Sequence, residues 1–156
     1  GLQRKLGLTD VRDDDVALAQ DLLTRMAENA ADFTLTFRRL GDLVDRSSQD
    51  DELVSSLFED PAVFDEWAVR WRHRLASEER SSAACRGDMR SVSPAFIPRN
   101  HLVEEVIEAA VEEGDLEPFE QLIEVLASPY DDQPSRERHA APPRADQIVR
   151  QTFCGT

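Results

Sequence analysis

Two thiols and three imidazoles are the side chains whose types could support covalent or metal chemistry, and their spacing separates the two. Cys154 stands third from the end, in the run Thr152, Phe153, Cys154, Gly155, Thr156. The last residues of a domain pack poorly, so burial gives little reason for a thiol there. Its chemistry is the other reason: a thiolate is a nucleophile and a redox group. The plain alternative is a residue that docks with Phe153 into a groove. His73, His101 and His139 show no paired spacing with Cys85 or Cys154 of the kind a zinc site needs, so no metal site is expected. A second constellation is Arg99 and Asn100 with the carboxylate pair Asp131 and Asp132. It could be read as an active site, but arginine beside carboxylates more often ties loops together, and that reading is preferred.

Nucleotide chemistry lacks its parts. None of the six glycines builds a phosphate loop, there is no Gly-x-Ser-x-Gly elbow, and Lys5 is the lone lysine. ATP cannot be handled by this chain alone. With 18 Lys plus Arg against 32 Asp plus Glu, the net charge of −14 repels phosphate backbones and anionic lipid, so neither nucleic acid nor a membrane is an expected partner. No run approaches the roughly 18 apolar residues of a membrane span. Two cysteines make no disulfide scaffold, and a reducing cytoplasm is expected, in a GC-rich bacterium to judge by the arginine and alanine bias. The opening Gly1, Leu2, Gln3 without methionine reads as a tag scar or a piece of a longer protein.

The elements that must position these groups are helical. Asp13 to Asp15 precede Val16, Ala19, Leu22, Leu23 and Met26 at helical spacing, with acids where the helix dipole favours them. Asp32 caps a helix carrying Phe33, Phe37, Leu40 and Val44, and a short helix is expected around Leu53, Val54, Leu57 and Phe58. Asp60 and Pro61 start another, whose Phe64, Trp67, Trp71 and Leu75 read as core rather than as a ligand site. Residues 77–92, with Cys85 inside, show no sustained period and read as a loop with a short helical turn. Pro94 and Pro98 stiffen the segment Ser93 to His101 and present Phe96 and Ile97.

Beyond Pro98 a hairpin is expected. Its first helix runs to Gly114 with Val103, Val106, Ile107, Ala110 and Val111 inward. Asp115 caps the second, with Phe119, Leu122, Ile123 and Leu126 inward, ending at Pro129. The acids Glu104, Glu105, Glu108, Glu112 and Glu113 read as a solvated face. Residues 130–144 should wrap without a fold of their own, and Ile148, Val149 and Phe153 should anchor the end. The fold class is therefore all-α: an irregular multi-helix array with a C-terminal helical hairpin and an extended Pro-rich tail. It is taken as one helical domain over 1–156, in three stretches, 1–92, 93–129 and 130–156.

The run Pro94, Ala95, Phe96, Ile97, Pro98, Arg99, Asn100, His101, the motif Pro129, Tyr130, Asp131, Asp132, Gln133, Pro134, and the Thr152 to Thr156 ending together resemble the C-terminal part of the selenoprotein O family. Asp32, Phe33, Thr34 and the later Phe37, Arg38, Arg39, Leu40 are similar to that family's segment after its kinase-like core, so the likeness spans essentially the whole chain. Ser93 stands where the family often has asparagine, and Cys154 where some members carry selenocysteine. The resemblance implies a parent pseudokinase that moves AMP from ATP to protein hydroxyl groups. ATP and Mg2+ or Mn2+ would be held by an N-terminal kinase-like core absent from this sequence, so no catalytic or cofactor-binding residue is assigned here. It further implies that this region buttresses the core, with Pro94, Phe96, Pro98, Arg99, Asn100, Asp131 and Asp132 structural. Cys154 would form a reversible disulfide, with a cysteine of the missing core preferred over Cys85. The competing reading is a non-catalytic all-α protein-interaction module.

Overall fold

The computed structural model describes residues 1–10, 12–46 and 48–148. Their regular elements are all helical, with no β-strand among the described residues, and the chain divides into two compact units, Gly1–Pro94 and Ala95–Thr156.

Among its described residues the first unit holds six α-helices: α1 (Leu2–Lys5), α2 (Asp13–Glu28), α3 (Phe33–Leu40), α4 (Glu52–Ser55), α5 (Pro61–Leu75) and α6 (Ser82–Val92). Three of their starts follow from a single side chain. Asp32 accepts a hydrogen bond from Leu35 N–H at 2.8 Å, Asp60 from Ala62 N–H at 3.1 Å, and Ser81 from Ala84 N–H at 3.2 Å. Each satisfies a first-turn N–H that the helix itself cannot. The aromatic stripe of α5 is core: Phe64, Trp67 and Trp71 are fully buried. Their polar edges are used too. Trp67 Nε1 donates to Leu18 O at 3.0 Å and Trp71 Nε1 to Leu6 O at 2.9 Å, which fastens α5 to α2 and to the end of α1.

Residues 82–92 depart from the expected loop. They form α6, an eleven-residue helix whose buried side chains are Cys85 and Met89. One pair four residues apart is too short a period to stand out among serines and charges. The pair holds because Gly7 brings the backbone against it. With φ of +77°, Gly7 would place a Cβ 2.6 Å from Cys85 Sγ and 2.9 Å from Met89 Sδ, so only glycine fits. Arg38, buried on α3, closes the same side by donating to Ser93 O at 3.1 Å.

The second unit holds α7 (Asn100–Glu108), α8 (Glu117–Ala127) and α9 (Glu137–Ala140). The hairpin forms, with two corrections. Its first helix does not run unbroken to Gly114 but widens into a π-helical turn over Ala109–Glu113 before Gly114 reverses it at φ +69°. The inward set also differs. Leu102 on α7 and Leu122 and Val125 on α8 are buried, whereas Ile107, Val111, Phe119 and Ile123 are exposed. The reason is size: the core here is Ala95, Phe96 and Val125 with Leu126 and Ala140 against it, too small to cover both helices. The stretch after Pro129 does not merely wrap. Pro134–Arg136 and Ala145–Gln147 form 3-10 turns on either side of α9, and α9 buries His139.

Candidate functional site

The two motifs singled out in the sequence meet in the second unit. Ala95 N–H and Phe96 N–H both donate to the Pro129 carbonyl, at 2.8 and 3.1 Å. Gln133 Nε2 donates to Val125 O at 3.0 Å and Ser128 O at 3.1 Å, so the chain after α8 folds back on the helix it has just left. Phe96 is buried in the small core, Pro94 is half-buried and Pro98 is exposed. The carboxylates fare differently. Asp131 and Asp132 are both exposed, while the Arg99 side chain is buried.

Arg99 is the N-cap of α7, with extended backbone at φ −67°, ψ 136°. Pro98 before it fixes its own φ and biases Ile97 toward extended backbone, so the chain enters α7 from a stiff, non-helical segment. Behind the first turn of α7 lies a cavity of 340 Å³, bounded by residues 97–101 and by Pro143, Gln147 and Ile148. Asp131 and Asp132 are not among its described lining residues. His101 borders it, 9 % exposed, and its Nδ1 has no hydrogen-bond partner. Burial lowers the pKa of His101, and the charges of Arg99, Arg138 and Arg144 lower it further against an opposing Glu105. The ring is neutral at neutral pH. Sequence reasoning passed over this histidine, although His101 and Glu105 share one helix face with Leu102 and Val106 at the spacing of neighbours.

Cys85 is placed far from thiol chemistry. It is 2 % exposed, its Sγ lies 3.6 Å from Gly7 O and 3.9 Å from Met89 Sδ, and burial raises its pKa. A raised pKa starves a thiol of its reactive thiolate. Cys154, the other expected thiol, lies outside the described residues. Among the described residues no group of three or more His, Cys, Asp or Glu could hold a metal ion. Among the same residues no helix is long and apolar enough to cross a membrane.

Comparison with known proteins gives this helical architecture a class. Over its full length the chain is 58% identical to Protein nucleotidyltransferase YdiU of Bradyrhizobium sp. (strain ORS 278) and 56% identical to that of Bradyrhizobium diazoefficiens. It is 55% identical over 161 residues to that of Methylorubrum extorquens. These relatives are larger: the chain spans 31%, 31% and 32% of their respective lengths. The family model described as Protein adenylyltransferase SelO matches residues 1–127, and the chain belongs to that family.

Proposed function

We propose that this chain is the helical C-terminal part of a cytoplasmic, selenoprotein-O-like pseudokinase that transfers AMP from ATP to hydroxyl side chains of proteins. In that reaction the substrate hydroxyl oxygen bonds to the α-phosphorus, the bond from that phosphorus to the bridging oxygen breaks, pyrophosphate leaves, and the hydroxyl proton passes to a base outside this chain. Nucleotide and metal ligands belong to the kinase-like core in the remaining length of the protein. The observation that carries this reading is the match of the whole chain to about a third of each nucleotidyltransferase relative.

The role within the enzyme is to buttress that core. Ile107 with Val111 on one arm of the hairpin and Phe119 with Ile123 on the other are exposed apolar pairs at neighbour spacing, which a partner surface would cover. The remaining two thirds of a full-length relative is the occupant this reading assigns to them. Cys154 supplies redox response by forming a disulfide with a cysteine of the core. Two thiols give up two protons and two electrons to an oxidant such as glutathione disulfide, which is reduced to two thiols. The burial of Cys85 favours a partner elsewhere, since a disulfide needs accessible sulfurs with Cα atoms within about 7 Å.

The test is label transfer from α-labelled ATP to protein by the longer protein containing this sequence, assayed in reduced and oxidised glutathione. Transfer by the long form, none by the 156-residue chain, and a redox response abolished by Cys154→Ser are expected. A long form with no transfer overturns the activity, and an unchanged response in Cys154→Ser overturns the redox role.

A further inference from the structure

We infer that the exposed apolar residues of the α7–α8 hairpin are covered by a cationic surface, one that sets Lys or Arg beside its own hydrophobic side chains, carried by the remaining length of the same protein. This rests on the buttress role proposed above and adds to it the chemistry of the contact. The first support is how the apolar residues are arranged. Leu116, Phe119 and Ile123 recur at i, i+3 and i+7, which sets them in one stripe along α8, and Ile107 and Val111 stand four apart on the other arm. All five are between 47 % and 78 % exposed. Scattered singly, such residues need no cause, but a stripe at helical period marks a contact.

The second support is charge. Between Asn100 and Ala127 stand nine Asp and Glu and no Lys or Arg. Among the described residues two of the nine pair with a cation, Glu105 with Arg138 and Glu124 with Arg136, both from beyond α8. The first unit is built differently: Arg25, Arg74, Arg86 and Arg90 each pair with an Asp there. On the hairpin the acids also sit where local structure resists them. Glu104 and Glu108 repel as like charges at i, i+4, as do Glu120 and Glu124. Glu108, Glu112 and Glu113 crowd the C-terminal end of the first arm, where the helix dipole favours cations and the last turn of α7 has none. A cationic surface relieves both strains at once.

The same charges choose among occupants. A second copy would set nine acids against nine, and anionic lipid or nucleic acid would be repelled as well. The acids also stand beside the apolar residues: Glu104 neighbours Ile107, and Glu120 neighbours Ile123, at i, i+3. A partner seated on those apolar side chains therefore meets carboxylates at its edge. This is an apolar middle with a charged rim, in which the rim selects the partner and the middle excludes water. The chain spans about a third of its relatives, so the other two thirds can carry the matching surface at high effective concentration.

The longer protein containing this sequence is footprinted with hydroxyl radicals, and oxidation of Phe119 and Ile123 is read by mass spectrometry. In low salt both side chains should be oxidised about tenfold more slowly than in the denatured protein, well beyond what half-exposure on the hairpin alone gives. Raising NaCl to about 500 mM should speed their oxidation about threefold or more. Glu108→Lys combined with Glu120→Lys, both at exposed positions, should do the same in low salt, whereas Glu79→Lys in the first unit should not. Each hairpin reversal makes a favourable local pair, with Glu104 or with Glu124, so lost protection reports the partner rather than the helix. If the double variant does not fold, the salt series decides alone. Fast oxidation of Phe119 in low salt overturns the covering and the buttress role with it. Protection unmoved by salt and by the reversed charges overturns the cationic partner and leaves the buttress role standing. Protection that grows with protein concentration assigns the face to a second copy and overturns the inference. Label transfer is measured separately, so failure of the AMP-transfer reading is told apart from all three.

Discussion

Arg74 grips Asp15 with two hydrogen bonds, Nε to Oδ1 at 2.7 Å and Nη2 to Oδ2 at 3.1 Å, across the gap between α5 and α2. Asp15 is 1 % exposed, and its Oδ2 also accepts from Arg12 N–H at 2.9 Å. The far side of the same guanidinium donates to Glu78 Oε1 at 2.8 Å and Ser77 Oγ at 3.0 Å. One cation thus holds the start of α2 against the end of α5.

Removing one member leaves a buried charge short of its partner, which costs about 3 to 5 kcal/mol. Asp15→Asn should therefore lower unfolding free energy by about 3 kcal/mol in a urea titration. Asp14→Asn, next door on an exposed side chain, should change it by less than about 0.5 kcal/mol.

Acid should reveal the other end of the cluster. Burial raises the pKa of Glu78, but hydrogen bonds from Thr9 Oγ1 at 2.6 Å, Thr9 N–H at 3.1 Å, Arg74 and Asp10 N–H overcome it and hold the value at about 2, below the ordinary 4.5. A depressed carboxylate stabilises the fold fully above its unfolded pKa and loses that contribution as pH falls through the folded one. Here the window is pH 4.5 down to about 2, and the contribution is about 3 kcal/mol. Unfolding followed by circular dichroism should show Glu78→Gln less stable at neutral pH, with a shallower decline across that window.

Two glycines at positive φ should respond unequally to alanine. At Gly114, φ +69°, nothing lies within 4 Å of a new Cβ, so the backbone penalty of about 1 to 2 kcal/mol is the whole effect. At Gly7 the same penalty is joined by the clash with Cys85 and Met89, raising the loss to about 3 kcal/mol or more. Thermal unfolding of the two variants would separate them, and equal losses would mean that α6 yields freely to Gly7.

Cys85 should be silent toward thiol reagents in the native chain. Labelling with a maleimide followed by peptide mapping is expected to modify Cys85 only under denaturing conditions, because its thiol is buried and its pKa raised. Rapid native labelling of Cys85 would contradict the packing of α6.

The helices with long apolar periods or a cap next to a proline could be read directly. Asp60 and Pro61 announced α5, and the Phe64, Trp67, Trp71 series announced its buried face. What escaped was tertiary in origin. Helix α6 depends on the approach of Gly7, far earlier in the chain, and no local pattern encodes that. Ile107 and Phe119 carry a helical period as clear as that of the core helices, yet period alone does not tell a buried face from an exposed one. At the candidate site, the stiff Pro94 to His101 run was legible from its prolines. The buried, unpartnered His101 Nδ1 was not, since a lone histidine has no spacing to betray it.

The Pro129 carbonyl, shared by two amides, bears on the order in which the second unit assembles. The α7–α8 hairpin is built from near neighbours in sequence and can form early, whereas the bond from Ala95 to Pro129 must close a loop of 129 − 95 = 34 positions. Loop closure is costly in entropy before its contacts repay it, so this tie belongs on the late side of the folding barrier. Changes there should speed unfolding far more than they slow folding. The seam between the two motifs is thus a kinetic latch, governing how long the second unit, once folded, stays closed.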